Sequence, residues 1–385
     1  MKIGVPSEVM SGETRTALVP AQAGQLVERG HEIFVTAGGG EAAGWVDADY
    51  RDQGCAVVDT REDVFDRADI LLQVRGLGAS ETDGPEQYGE GQVVIGLLGP
   101  YDLDSELETL AERSVTAFSL ELIPRISRAQ SMDALSSMAS LGGYKAAVLA
   151  AEALPKLFPM QMTAAGTIQP ANVFVVGAGV AGLQAIATAN RLGASVRAYD
   201  IRPEVKEEVE SLGGTFVELD LETDDASDEE GHAREQDEQF YEKQREMMTR
   251  VVGESDVVIT TAAIPGKPSP TLVTGEMIAG MNPGSVIVDL AAERGGNCEP
   301  TEPDREVTFE GVRIFGPTNL PATLAHHASQ LYANNVTSFL DLLLDDEELA
   351  IDTTDEIVDA TLLTHEGTVR APHRDEADDG GDDDE

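Results

Sequence analysis

Val173-Phe174-Val175-Val176-Gly177-Ala178-Gly179-Val180-Ala181-Gly182 is the stretch that decides the fold of this chain. Four apolar residues read as a buried strand and run straight into a GxGxxG turn, after which a helix is expected over Val180–Leu192. The next strand, Ser195–Tyr199, ends at Asp200, about 20 residues past the first glycine. In such a unit Gly177 permits the tight turn, Gly179 lets the backbone approach a pyrophosphate, and Gly182 allows close helix–strand packing. A helix N-terminus offers free N–H groups to phosphates, so Gly177, Gly179, Val180, Ala181 and Gly182 form one candidate cofactor site. Asp200, followed by Ile201 and Arg202, is placed to accept from the adenosine ribose hydroxyls. Its charge favours NAD over NADP, and Arg202 blurs that choice. The plainer alternative is a glycine-rich turn with no ligand.

Outward from this unit, strands are expected at Thr215–Val217, Val257–Thr260, Ser285–Asp289 and Val312–Phe315. Toward the N-terminus, Lys2–Val5, Ile33–Thr36, Ile70–Val74, Val93–Leu98 and Val115–Phe118 alternate with helical stretches such as Ala21–Arg29 and Ser105–Arg113. This alternation predicts parallel βαβ units. Ser131–Leu154 reads as one long helix, with Met132, Leu135, Met138 and Leu141 at every third position and Pro155 as its stop. The expected architecture is α/β: two Rossmann-like doubly wound domains joined by a long helix. Residues 1–130 plus 325–365 would make the first, to which the apolar helix Ser329–Leu344 returns. Residues 131–324 would make the NAD-binding one, and 366–385 a disordered acidic tail. A chain of 385 residues suits two domains at ~100–200 residues each.

The composition bounds the partners. Lys and Arg number 26 against 71 Asp and Glu, a formal charge of −45. Such a surface repels phosphate backbones and anionic headgroups, which argues against nucleic acid and against membrane binding through charge. Glu222–Glu238 and Asp375–Glu385 are the densest acidic runs, and the former reads as a mobile excursion. Lysine occurs only at 2, 145, 156, 206, 243 and 267. High acid with little lysine resembles proteins of salt-loving archaea, where molar salt shortens the Debye length to ~3 Å and screens self-repulsion. Cys55 and Cys298 stand far apart without a Cys/His pattern, so neither a disulfide framework nor a metal site is indicated. The N-terminus reads as a strand and not as a signal peptide. No apolar run reaches the ~18 residues of a membrane-spanning helix.

Two further segments carry polar chemistry. Pro124-Arg125-Ile126-Ser127-Arg128-Ala129-Gln130-Ser131-Met132-Asp133 sets two guanidinium groups, an amide, two hydroxyls and a carboxylate just before the long helix. It reads equally as a helix cap, with Ser131 or Asp133 on the end N–H groups, or as donors for the carboxamide of a nicotinamide. Thr260-Thr261-Ala262-Ala263-Ile264-Pro265-Gly266-Lys267-Pro268 follows a strand of the nucleotide unit. Ligands of open α/β sheets bind beyond the carboxyl ends of strands, so Thr261, Ala262, Ala263 and Ile264 are placed to cover a cofactor. Lys267, among prolines and glycine, is expected to be exposed. Asp289 and Gly295-Gly296-Asn297 hold the equivalent place after the following strand.

These segments together resemble a known family. Glu13-Thr14-Arg15-Thr16-Ala17-Leu18-Val19-Pro20 is similar to the signature shared by alanine dehydrogenase and the soluble NAD(H)-binding subunit of proton-translocating nicotinamide nucleotide transhydrogenase. Pro124–Asp133, Met162-Thr163-Ala164-Ala165-Gly166-Thr167 and Ile264-Pro265-Gly266-Lys267-Pro268 favour the transhydrogenase branch, and the similarity runs to about residue 345. The resemblance implies that Arg125, Gln130, Asp133 and Ser136 hold the nicotinamide and its ribose, with Gln130 between the two nucleotides. It implies NAD(H) on Gly177, Gly179, Gly182 and Asp200, and no metal. The acidic segment matches the family's mobile loop, with His232 where a tyrosine is usual. The partners implied are a second copy of the chain, a membrane proton-channel subunit and an NADP(H)-binding β subunit, as in the split form in which this subunit is separate. The chain would then be cytoplasmic, held peripherally at the inner face of the cell membrane through its partners.

What is missing helps choose the branch. Alanine dehydrogenase moves a proton as well as a hydride, which needs an acid/base pair near the reacting carbon. By resemblance, that branch supplies a lysine and a histidine. Here Leu71-Leu72-Gln73-Val74-Arg75-Gly76 offers Arg75, and Ile95-Gly96-Leu97-Leu98-Gly99-Pro100 has no histidine. Hydride passage between two nicotinamides moves no local proton, so the expectation is transfer from NADH to NADP+ held by the partner. An NAD-dependent amino-acid dehydrogenase is the runner-up, and a non-catalytic NAD-binding regulatory protein the third reading. The charge balance predicts that NADH binding strengthens from dilute buffer to molar salt in a fluorescence titration; weakening would count against adaptation to salt.

Overall fold

Alternating strand and helix resolve into two large sheets, each in its own unit: residues 1–138 with 321–385, and residues 139–320. The structure, a computed structural model, describes residues 1–77, 84–103, 105–218, 238–345 and 348–370, with the main chain alone for 238–242. The acidic segment up to residue 237, with His232, and the tail Asp375–Glu385 lie outside the described residues.

In the first unit β1 (Lys2–Val5), β2 (Glu32–Thr36), β3 (Ala56–Val58), β4 (Ile70–Arg75), β5 (Val93–Leu97) and β6 (Thr116–Ser119) form a parallel sheet. Their order is β3-β2-β1-β4-β5-β6. Leu362–His365 adds antiparallel to β6 and turns back through Thr368–Val369. The tail expected from 366 therefore does not begin there. Leu362 and Leu363 are buried, the Thr364 hydroxyl donates to Val115 O, and Arg370 N–H donates to Leu363 O at 2.8 Å. Two buried leucines are too short a run to announce a hairpin at the edge of a sheet.

The helix Ala325–Leu342 belongs to this unit and buries Tyr332, Val336, Phe339 and Leu340. Tyr332 donates to Gln73 O at 2.7 Å, and Phe339 meets Phe118 edge-on at 5.4 Å. Glu13–Pro20 is pinned to its start: Thr14 donates to Ala322 O, and Thr16 N–H donates to Ser329 Oγ. Arg15 and Glu13 form a buried ion pair there, with side chains 1% and 0% exposed. Removing either partner of such a pair costs about 3–5 kcal/mol, because the other charge is left buried.

The units part between Met138 and Ala139, inside the helix Ala134–Ala153, and not at 130/131 as the sequence suggests. The 3-10 turn Ser127–Met132 is tied to the first unit by Asn335 Nδ2, which donates to Ser131 O at 2.9 Å. The first unit likewise resumes at 321, ahead of 325. The every-third-residue stripe of this helix is not a buried face: Leu135 is 46% exposed, and the buried residues are Ala134, Met138, Gly142, Gly143, Ala146, Ala147 and Ala150. A period of three falls short of 3.6, so it spirals around the helix instead of lining one side.

In the second unit β7 (Gln161–Thr163) and β8 (Gly166–Ile168) make a small hairpin. The sheet follows: β9 (Asn172–Val176), β10 (Ser195–Tyr199), β11 (Thr215–Phe216), β12 (Val257–Thr260), β13 (Val286–Asp289), β14 (Glu306–Phe309) and β15 (Val312–Phe315), ordered β11-β10-β9-β12-β13-β15-β14. Of these strands β14 alone runs antiparallel. Val173, Val175, Val257, Ile259, Val286 and Val288 enter one core; Phe174, Val176, Val258 and Ile287 enter another. Burial of both faces is why these strands read as continuous apolar runs. Both units share the first-strand-central order of dinucleotide-binding sheets, with a reversal at β1/β4 and at β9/β12.

The long helix lies against the fingerprint turn at Gly143, where a Cβ would stand 2.0 Å from Ala181 O; at Gly142 a Cβ would meet nothing within 4 Å. Gly143→Ala is expected to cost about 1–3 kcal/mol in urea unfolding, the range for overpacking. Gly142→Ala should be neutral or stabilising by up to ~1 kcal/mol through helix propensity. Equal effects of the two would refute this account of the packing.

Candidate functional site

The residues singled out in the sequence fall into two sets, Arg125, Gln130, Asp133 and Ser136 in the first unit and the remainder in the second. In the second, the apolar β9 delivers the chain to Gly177 at φ +96°, a conformation that favours glycine. A Cβ on Gly182 would stand 1.8 Å from Gly177 O, so no other residue lets the helix Val180–Arg191 begin so close to the turn. Gly179 is its N-cap and offers no side chain, leaving the first N–H groups without a side-chain acceptor. A Cβ on Gly179 would enter open space with no atom within 4 Å. Open space beside uncapped N–H groups fits the pyrophosphate of a dinucleotide.

Asp200 closes this set. Its Oδ2 accepts from Ala178 N–H at 2.7 Å and from Arg202 Nη2 at 3.1 Å; its Oδ1 accepts from Arg202 N–H at 2.9 Å and Nε at 3.0 Å. The carboxylate is thus gripped on both oxygens, and it holds the Arg202 guanidinium above its ordinary pKa. Any further donor must share an acceptor already in use, and Arg202 offsets part of the carboxylate's charge. Ile201 is half-buried beside it and Val180 is 45% exposed.

The loop after β12 meets the same turn. Thr261 Oγ1 donates to Gly177 O at 3.1 Å and Val176 O at 3.3 Å, and a Cβ on Gly177 would stand 2.5 Å from that hydroxyl. Ala263 and Ile264 are exposed, and so is Lys267, as expected. Behind them lie groups whose place the sequence marks without a role. Asp289 is fully buried and accepts from Thr260 Oγ1, Ala291 N–H, Cys298 N–H and Thr301 Oγ1 at 2.8–3.0 Å. Asn297, also fully buried, bonds both main-chain groups of Ala262. The available signal was a lone Asp ending a strand and an Asn after paired glycines; neither names its partners.

In the first unit the helix cap is seen directly, at Asp133, and two other polar side chains of the segment are left uncommitted among the described residues. Asp133 caps the helix Ala134–Ala153: Oδ1 accepts from Ser136 N–H at 2.8 Å and Oδ2 from Ser136 Oγ at 2.5 Å. Arg128 is committed elsewhere, forked on Asp355 at 2.7 and 3.0 Å, which raises its pKa. Arg125 and Gln130 are exposed and have no side-chain partner among the described residues. The turn therefore presents one guanidinium and one amide, beside a carboxylate and hydroxyl already paired to each other.

On the branch question, Arg75 ends β4 and its main-chain N–H, with that of Val74, donates to Glu8. Among the described residues no group of three or more His, Cys, Asp or Glu is arranged to hold a metal ion, and no helix is long and apolar enough to cross a membrane.

Known proteins are similar in sequence and fold. Residues 4–142 match the family described as alanine dehydrogenase/PNT, N-terminal domain, and residues 146–372 match its C-terminal domain. A chain of Rhodospirillum rubrum, the first portion of its NAD(P) transhydrogenase subunit alpha, is 45% identical over 377 residues, 97% of this chain and 98% of its own. The crystal structure of transhydrogenase from Sinorhizobium meliloti superposes with a TM-score of 0.85 at 42% identity, covering 96% of this chain and 100% of that one. Alanine dehydrogenase of Mycobacterium tuberculosis is more distant, 28% identical over 379 residues, 96% of this chain and 94% of its own. With both halves matched, and with a fingerprint turn and a donor-bearing turn in the places described, the chain belongs to the alanine dehydrogenase/PNT family.

Proposed function

We infer that this chain is the NAD(H)-binding subunit of a proton-translocating NAD(P) transhydrogenase, acting with an NADP(H)-binding partner subunit and a membrane proton-channel subunit. One observation carries the reading: the likeness to transhydrogenase chains is nearly end to end at 42–45% identity, against 28% for alanine dehydrogenase. The site supports it. Main-chain N–H groups from Gly179 to Gly182 would hold the pyrophosphate of NAD(H), and Asp200, with Ile201 and Arg202 beside it, the adenosine ribose. Thr261, Ala262, Ala263 and Ile264 would cover the bound nucleotide. Arg125 and Gln130, uncommitted donors, would orient the nicotinamide carboxamide, while Asp133 and Ser136 would fix its ribose.

When bound, the reduced nicotinamide supplies a hydride at C4, which is passed to NADP+ held by the partner. The chain's own contribution is orientation and the exclusion of water, since this exchange moves no O–H or N–H proton at the site. Arg75 in place of a lysine, and Ile95–Pro100 without a histidine, suit that requirement. The requirement of amino-acid reduction, a proton donor beside the reacting carbon, is not met there.

The same reading makes the chain a homodimer attached to the inner face of the membrane through its partners. The hairpin of β7 and β8 supports pairing of copies, since Met160, Met162 and Ile168 are 56%, 77% and 44% exposed and apolar side chains displayed together favour being covered. The acidic composition supports a working environment of high salt.

Gln130→Asn should slow hydride transfer ~10–100-fold in a mixture reconstituted with the NADP(H)-binding partner, the loss expected of a small misplacement. NADH affinity should stay nearly unchanged; a large loss of affinity would make Gln130 a binding residue instead. In the same buffer, NADH oxidation with pyruvate and ammonium should be absent. Turnover there would install the amino-acid dehydrogenase in place of the transhydrogenase.

A further inference from the structure

We propose that Asn297 is a positioning residue that fixes the nucleotide-covering loop from Ala262 to Leu272 and thereby sets affinity for the nicotinamide half of the dinucleotide. The inference rests on the nucleotide reading above and extends it to a residue outside the fingerprint.

Asn297 uses every hydrogen-bonding group it has on this loop apart from its own N–H. Oδ1 accepts from Ala262 N–H at 2.9 Å, and Nδ2 donates to Ala262 O at 2.7 Å and Pro270 O at 2.9 Å. Its main-chain carbonyl accepts from Leu272 N–H at 2.8 Å and Val273 N–H at 2.9 Å. Both ends of the loop are thus fastened to one fully buried residue, while Ala263 to Pro268 stands exposed. Reinforcement beside it comes from Ser269, whose N–H donates to Arg294 O at 2.8 Å and whose hydroxyl donates to Ala291 O at 3.3 Å.

The chemistry singles out asparagine. Holding Ala262 by both its N–H and its C=O, and Pro270 by its C=O, needs one acceptor and two donors on a short side chain. Aspartate keeps the acceptor but turns a second negative oxygen toward two carbonyls; alanine keeps neither. Asn297 is itself fixed from behind, because Asp289 accepts from the N–H of Cys298, the next residue, and from Thr260 Oγ1 at the end of β12. One buried carboxylate therefore sets the register between the strand that launches the loop and the residue that closes it. Thr261, at the launch, rests its hydroxyl on Gly177 O.

Strand order says which half of the ligand feels this. Asp200 follows β10, on one side of β9; β12 lies on the other side. A dinucleotide laid across β9 with its adenosine ribose at Asp200 has its nicotinamide half on the β12 side. Loosening the loop should weaken contact with that half and spare the adenosine half.

The experiment is titration of NADH and of AMP against the full chain and its Asn297→Asp and Asn297→Ala variants in molar salt, with amide hydrogen exchange of the 262–272 segment. Both variants should bind NADH ~10-fold more weakly, the loss of one to two buried hydrogen bonds, bind AMP within about twofold of wild type, and exchange faster in the segment. In the wild-type chain NADH should protect these amides and AMP should not, a measurement that needs no variant to fold. NADH binding unchanged in the variants, equal weakening of NADH and AMP, or no protection by NADH would each overturn the proposal. A wild-type chain that binds neither AMP nor NADH would overturn the nucleotide reading itself.

Discussion

Main chain packed on main chain at the Gly177–Gly182 turn is the constraint on which the nucleotide unit depends. The helix Val180–Arg191 starts against Gly177 O because Gly182 has no Cβ, and the long helix lies against Ala181 O because Gly143 has none. Thr261 adds its hydroxyl to Gly177 O, and Ala178 N–H is held by Asp200. Three segments distant in sequence converge on one turn, the long helix through bare main chain and the other two through one short side chain each. The space this leaves at Gly179 is lined by N–H groups at a helix N-terminus.

That construction reconciles a charge of −45 with an anionic ligand. Backbone donors and a helix terminus hold phosphate without recruiting lysine. Cations near the candidate residues are instead drawn onto carboxylates: Arg202 onto Asp200 and Arg128 onto Asp355. In so acidic a chain an arginine left without a partner is conspicuous, and Arg125, five positions before Gln130, is such a one among the described residues. The acid excess therefore lies outside the groups that line the turn, where the donors are main-chain N–H groups.

Two sheets of the same strand order need not bind the same ligand. In the second unit the reversal at β9/β12 carries the glycine turn; in the first, β1 runs into Pro6-Ser7-Glu8. There Glu8 accepts from Val74 N–H at 2.6 Å and Arg75 N–H at 3.0 Å at the end of β4. A carboxylate there already takes main-chain donors at the switch point, where the second unit leaves N–H groups without a side-chain acceptor.

Repetition of apolar runs and the order of glycines are legible in the sequence, because each is a local rule. β9, β10, β12, β13 and β15 appear within a residue of where the runs place them, and the fingerprint needs only its own spacing. Three things are not legible. β3, β14 and the hairpins Gln161–Ile168 and Leu362–Val369 are short or exposed, and carry too few apolar residues to signal pairing. The stripe of Met132, Leu135, Met138 and Leu141 misleads, since a period of three does not match a helix. Above all, the sequence places two arginines in Pro124–Asp133 without a physical rule to separate them. By itself it determined a doubly wound α/β chain, its dinucleotide fingerprint and its acidic surface. Only tertiary structure decided that Arg128 is spent on Asp355 while Arg125 stands free, and that Asn297 fastens both ends of the loop after β12. A hydrogen bond is made between groups that folding brings together, and their separation along the chain carries no mark of it.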